Sequence, residues 1–116
     1  MKFVDINTKI SVAELDKMSE KMFGRLVKAV VDIEKEIMVI DASMHADQEV
    51  VLLESGSRQE NLWGINLHPS KFGGEGWIEF DSLINLRPSQ GNRSRSVDDL
   101  KIQEIIKKIV NRLVKE

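Results

Sequence analysis

The chain has 116 residues, no cysteine and a formal net charge of −2, with 41% apolar and 31% charged side chains. That size suits one domain, residues 1–116, built on a single core, and the lack of cysteine excludes disulfides, thiolate metal sites and cysteine nucleophiles. The N-terminus MKFVDINTKI has no long apolar run, and no stretch nears the ~18 apolar residues of a membrane span, so a cytoplasmic protein with no membrane partner is expected. The charge is unevenly placed: residues 1–86 carry 9 basic and 15 acidic side chains, residues 87–116 carry 8 and 4. Such polarity predicts attraction of an anionic partner to the C-terminal end, or attraction between opposite parts of one chain or of two copies.

Ser11-Val12-Ala13-Glu14 is a capping box, in which the serine hydroxyl accepts the amide three residues on and the glutamate reaches back. Val12, Leu15, Met18, Met22 and Phe23 follow at helical spacing and Gly24 stops the run, which predicts a helix over about 12–23. LVKAVVDI (26–33) and IMVID (37–41) are rich in β-branched residues around a short charged turn, the pattern of a β-hairpin. HADQEVVLLESGS predicts a second helix over about 46–54, with Asp47 and Glu49 in the first turn and Gly56 beyond the end.

Two further strands are expected. In Leu62–His68, Trp63, Ile65 and Leu67 share the core face and Gly64, Asn66 and His68 the other. In Trp77–Arg87, Ile78, Phe80, Ile84 and Leu86 oppose Glu79, Asp81, Asn85 and Arg87, with Trp77 and Leu83 on that polar side. PSKFGGEG joins the two as a long hairpin loop. Ser96 is placed to cap a last helix with Asp99 at its third position, and Ile102, Ile105, Ile106, Ile109, Val110 and Leu113 form its apolar stripe. The order α-β-β-α-β-β-α gives an α+β fold: a four-stranded, mostly antiparallel sheet with helices packed on one face.

The pieces VKAVVDIEKEIM, HADQE, GSRQENLWGINLHP and WIEFDSLINLRPSQGNRSR resemble a family of small uncharacterised prokaryotic proteins known only as a domain of unknown function. The resemblance spans most of the chain. It implies a shared architecture and no activity.

Three groups of residues can carry chemistry. RPSQGNRSR (87–95) offers three forked guanidiniums, Arg87, Arg93 and Arg95, with Gln90 and Asn92 as neutral donors and Gly91 free to take positive φ ahead of a helix N-terminus. It lacks P-loop spacing, and the competing reading pairs these arginines with acids elsewhere in the chain. His45 and Glu49, four apart on a helix, form a candidate acid–base pair, and His68 would complete a three-ligand metal site. HADQE is not the HExxH pattern, however, and acids in a first turn are explained by the helix dipole, so no metal or cofactor is expected. The third group is the polar sheet face, where Asn66 and His68 should lie near Glu79 and Asp81, with Lys28 and Asp32 contributing.

Nucleic acid is disfavoured: aromatics are only 5% of residues, the polar sheet face is acidic, and the Lys101, Lys108, Arg112 and Lys115 stripe is interrupted by Glu104. The leading reading is a non-enzymatic module that binds a phosphorylated small molecule through the 87–95 loop. The alternatives are a small hydrolase or nuclease using His45 and Glu49 with the arginines, and a structural or protein-interaction domain. A homodimer is expected, because Trp77 and Leu83 interrupt a polar face.

Overall fold

Two short strands precede the first helix: β1 (Lys2–Val4) and β2 (Ile10–Ser11). The structure, a computed structural model, describes residues 1–116. Helix α1 (Val12–Ser19) starts at the anticipated cap, where Ser11 Oγ accepts the Glu14 amide at 3.1 Å. The Glu14 carboxylate returns to the Ser11 hydroxyl, and this bond, ahead of the nearby Lys2, draws its pKa below the usual value. The helix ends at Ser19 rather than near residue 23, and the Ser19 hydroxyl donates to the Asp16 carbonyl at 2.6 Å in its last turn. Phe23 is left fully exposed.

The hairpin of β3 (Val27–Asp32) and β4 (Ile37–Ile40) forms as expected. Asp32 is its anchor rather than a polar-face residue: it is buried, and Oδ1 accepts the Glu34 and Lys35 amides at 2.9 and 3.0 Å. The second oxygen takes the Ser57 hydroxyl at 2.6 Å. Helix α2 (His45–Glu54) leads to β5 (Leu62–Leu67), in which every residue is buried. A sixth strand, β6 (Ile78–Glu79), is followed by 3₁₀ turns at Leu83–Asn85 and Pro88–Gln90. Helix α3 (Leu100–Leu113) and β7 (Val114–Lys115) complete the chain. No helix is long and apolar enough to cross a membrane.

The fold is α+β, with five strands rather than four in the main sheet, ordered β1-β4-β3-β5-β6 and antiparallel throughout. A separate two-stranded pair joins β2 to β7 in parallel, tying the two ends of the chain together. The helices do not share one face. Val27, Ala29, Val31, Trp63 and Ile65 meet α1 and α3 through Leu15, Ile106, Ile109 and Leu113. The alternate residues Val30, Val39 and Leu62 meet Leu52 of α2 and Ile84 on the opposite side. A strand buried on both sides needs apolar residues at both parities, and the LVKAVV and IMVI runs carry them.

Ser96 does not cap α3. Val97 is drawn into the core, residues 96–98 stay outside the helix, and Asp99 takes the cap by accepting the Lys101 amide at 2.8 Å. The expected strand over 77–87 is reduced to two paired residues. Trp77 leaves the polar face for the core, packing edge-on against Phe72 at 5.0 Å between ring centres. Its burial removes one of the two observations behind the homodimer.

The shortness of β6 leaves most of one β5 edge without a backbone partner, and side chains complete it. Asn85 Oδ1 accepts the Gly64 amide at 2.8 Å, and Asn85 Nδ2 donates to the Gly64 carbonyl at 2.9 Å. One carboxamide thus copies the pair of bonds a neighbouring strand would make. Only glycine admits this approach, since a Cβ at position 64 would lie 2.6 Å from Ser82 Cβ. Gly64→Ala should destabilise the protein by about 1–3 kcal/mol, the cost of overpacking a filled core, in urea unfolding followed by tryptophan fluorescence.

Candidate functional site

The segment 81–98 turns back on itself through side-chain bonds to its own backbone. Asn92 is buried and donates to the carbonyls of Asn85 and Ser96, each at 2.7 Å, while its Oδ1 accepts the Asp98 amide at 2.8 Å. Asp98 in turn accepts the Ser94 hydroxyl, and the Arg93 amide at 2.8 Å, and these bonds, that of Ser94 foremost, hold its carboxyl below the usual range. Gly91 closes the 88–90 turn at φ 86.

This folding uses up most of the candidate anion loop. Arg87 lies 4.2 Å over the Trp63 ring and donates to the carbonyls of Gln59 and Leu62, so it closes the β5 edge beyond Asn85. Burial pushes its guanidinium below the ordinary value, with Glu49 acting in the opposite sense, and an arginine so placed stays charged. Gln90 donates to the Glu60 carbonyl at 2.9 Å. Asn92 is committed as described. Arg95 pairs with Asp81 at 2.7 Å, and only the Arg93 guanidinium makes no bond within the chain. The loop is held by its own donors, and its five candidate residues do not converge on one point.

His45 and Glu49 are not bonded to each other. The His45 ring faces the sheet, with Nε2 2.7 Å from the Ile65 carbonyl, and is 7% exposed. Its pKa is lowered, by burial first and then by Lys28 and Arg95, against the Ile65 bond and Asp81. The ring is therefore neutral at pH 7: Nε2–H donates to Ile65, and Nδ1 keeps its lone pair. Glu49 turns instead toward Arg87, with one carboxylate oxygen buried and unpartnered. No three acids or histidines gather as a metal cluster, so His45, Glu49 and His68 remain apart.

The polar face does assemble. Asn66 donates to Glu79 at 3.0 Å and to the Asp81 carbonyl at 3.2 Å, and His68 Nε2 lies 3.1 Å from the same Glu79 oxygen. These contacts lower the Glu79 pKa, His68 contributing most. Beside this row lies a cleft of about 150 Å³ lined by Lys28, Met44, His45, Ser82, Leu83 and Arg95 among others. It sits at the N-terminus of α2, whose cap residue Met44 supplies no side-chain bond to the free amides. Lys28, opposite Asn66 in the β3–β5 register, forms no ion pair. The sequence pointed to His45, Lys28 and Arg95 separately; a lone glycine within a strand pattern, Gly64, was the available signal for a close backbone approach there.

Three residues singled out for binding, Arg87, Gln90 and Asn92, make bonds within the chain, and what Arg87 holds in place is measurable. Replacing Arg87 by lysine keeps the charge but loses the fork that spans two carbonyls and the planar face on Trp63. Arg87→Lys should lower stability by about 1.5–3 kcal/mol, as measured by chemical unfolding.

The family described as "Protein of unknown function (DUF5674)" matches residues 4–113. No curated protein and no solved structure matches the chain.

Proposed function

Because the chain belongs to a family of unknown function, which lends it no activity, we propose from its geometry that it is a non-enzymatic module binding a small anionic, phosphorylated ligand. The reading moves the site from the 87–95 loop to the cleft at the N-terminus of α2. The observation that carries it is the meeting there of unpaired Lys28, Arg95, the His45 ring and the uncapped amides of α2. Amides at a helix start and two cations favour negative charge, and Asp81, already paired with Arg95, offsets it only in part. The neutral His45 Nδ1 asks for a ligand hydrogen, which a singly protonated phosphate ester carries beside its charged oxygens. A cytoplasmic setting, consistent with the cysteine-free composition, supplies such ligands.

Sulfate tests this, because it carries no proton between pH 7.5 and 5.5. The expected result is amide shifts concentrated at residues 44–47 and 82–84, and roughly tenfold weaker binding in Lys28→Gln without loss of stability. His45 must take up a proton to donate to sulfate, and its pKa in the free protein lies below 6.5. Affinity should therefore rise as pH falls through that range, and the rise should vanish in His45→Gln. Shifts centred on residues 89–93 would return the site to the loop and sink the proposal.

A second reading, an interaction domain that pairs with its own copy, is favoured by the cleft mouth, where Met44 is 56% and Leu83 67% exposed. Light scattering at high micromolar concentration should then report a dimer that Leu83→Asp dissolves. A monomer at that concentration removes the reading.

A further inference from the structure

A second cavity lies on the α1/α3 side of the sheet, between the 69–76 loop and the last turns of α3. It holds about 310 Å³, the small end of the range for ligand pockets. Its base is Trp77, 3% exposed, fixed by its packing on Phe72 and by an indole N–H bond to Asn111 Oδ1 at 3.1 Å. That bond orients the Asn111 carboxamide. Its Oδ1 is occupied, and its Nδ2 is left as a donor with no acceptor in the protein.

The loop adds more donors. Gly73 and Gly76 adopt φ 78 and 85, where other side chains are strained. Of the loop amides, Gly74 donates to the Lys71 carbonyl and Trp77 to the Gly74 carbonyl, while those of Gly73, Glu75 and Gly76 have no acceptor in the protein. Free amides close together around glycines, as at Glu75 and Gly76, can form a concavity suited to an anion. Lys107 brings a cation whose one ion pair, with Glu104 at 3.5 Å, is exposed on both sides and weak enough to yield. Half-buried Ile78 and Phe80 supply an apolar wall, and Glu75 is the only acid on the lining.

We infer that this cavity is a binding site for a small oxyanion, carboxylate or phosphate, carried on an apolar group about the size of one aromatic ring. Apart from Glu75, the polar side chains on the lining offer donors, and an oxyanion is the ligand chemistry that accepts from several at once. The apolar wall answers the remainder of the ligand. The site shares no residue with the α2 cleft and stands independently of it.

Benzoate and phenyl phosphate are the probes, with benzylamine as the cationic control. Both anions should shift the amides of Gly73, Glu75 and Gly76 and the side-chain amide of Asn111, and alter tryptophan fluorescence. Which of the two binds more tightly identifies the oxyanion. Lys107→Gln, an exposed change that leaves the fold intact, should weaken binding by about tenfold, and Glu75→Gln should tighten it severalfold. Benzylamine binding as well as benzoate, or an affinity unchanged in Lys107→Gln, would overturn the inference. So would an affinity lost in Lys28→Gln, which would place the anion in the α2 cleft and support that reading instead.

Discussion

Everything on the α2 side of the sheet depends on how the open edge of β5 is closed. A buried strand cannot leave its amides and carbonyls unpaired, since each orphan costs roughly 1–3 kcal/mol. Backbone pairing with β6 covers only Asn66 and Leu67. Beyond it the Asn85 carboxamide serves Gly64, and the Arg87 guanidinium serves Leu62. Asn85 also donates to the Arg95 carbonyl at 3.0 Å, and the Ser82 amide reaches the same oxygen at 3.0 Å. The mouth of the cleft, where Ser82, Leu83 and Arg95 stand, is thus positioned by the same bonds that finish the sheet.

That economy has a chemical cost. An arginine chosen to span two carbonyls and cover an indole is not free to hold a ligand, and the same holds for Asn92, whose carboxamide bonds Asn85, Ser94, Ser96 and Asp98. The arginine-rich stretch looks like a phosphate site by composition, yet its planar, multidentate donors are what an unpaired strand edge also requires. Position in the fold decides between the two uses. Lys28 and Arg95, standing singly in the sequence or at the end of a cluster, are the cations that line the cleft at the start of α2.

The legible parts of the fold were those set by local pattern. The Ser11 cap, the β3–β4 hairpin, the α2 and β5 spans and the apolar stripe of α3 all follow from residues within a few positions of one another. The apolar alternation from Ile78 to Leu86 misled because Ile78 and Phe80 pack on the α3 side while Ile84 crosses to the α2 side. Alternation records that residues are buried, and it is silent on a chain that passes around a sheet edge. The β2–β7 pair, two residues long and joining opposite ends of the chain, leaves no local trace. At the site, four-residue spacing correctly put His45 and Glu49 on one side of α2. It did not show that one ring would be turned to Ile65 and the other group toward Arg87.

Two of the buried asparagines, Asn85 and Asn92, also bear on how the protein ages. Spontaneous loss of a side-chain amide begins when the nitrogen of the following residue attacks the carboxamide carbon. After Asn85 that nitrogen belongs to Leu86 and is bonded to the Leu83 carbonyl at 3.1 Å; after Asn92 it belongs to Arg93 and is held by Asp98 at 2.8 Å. Both nucleophiles are tied down by the turns that the asparagines themselves maintain. Succinimide formation at either position therefore waits on local opening of the 82–98 segment. Water then opens the succinimide to an aspartate or isoaspartate, and either lacks the donors that would let the segment close again.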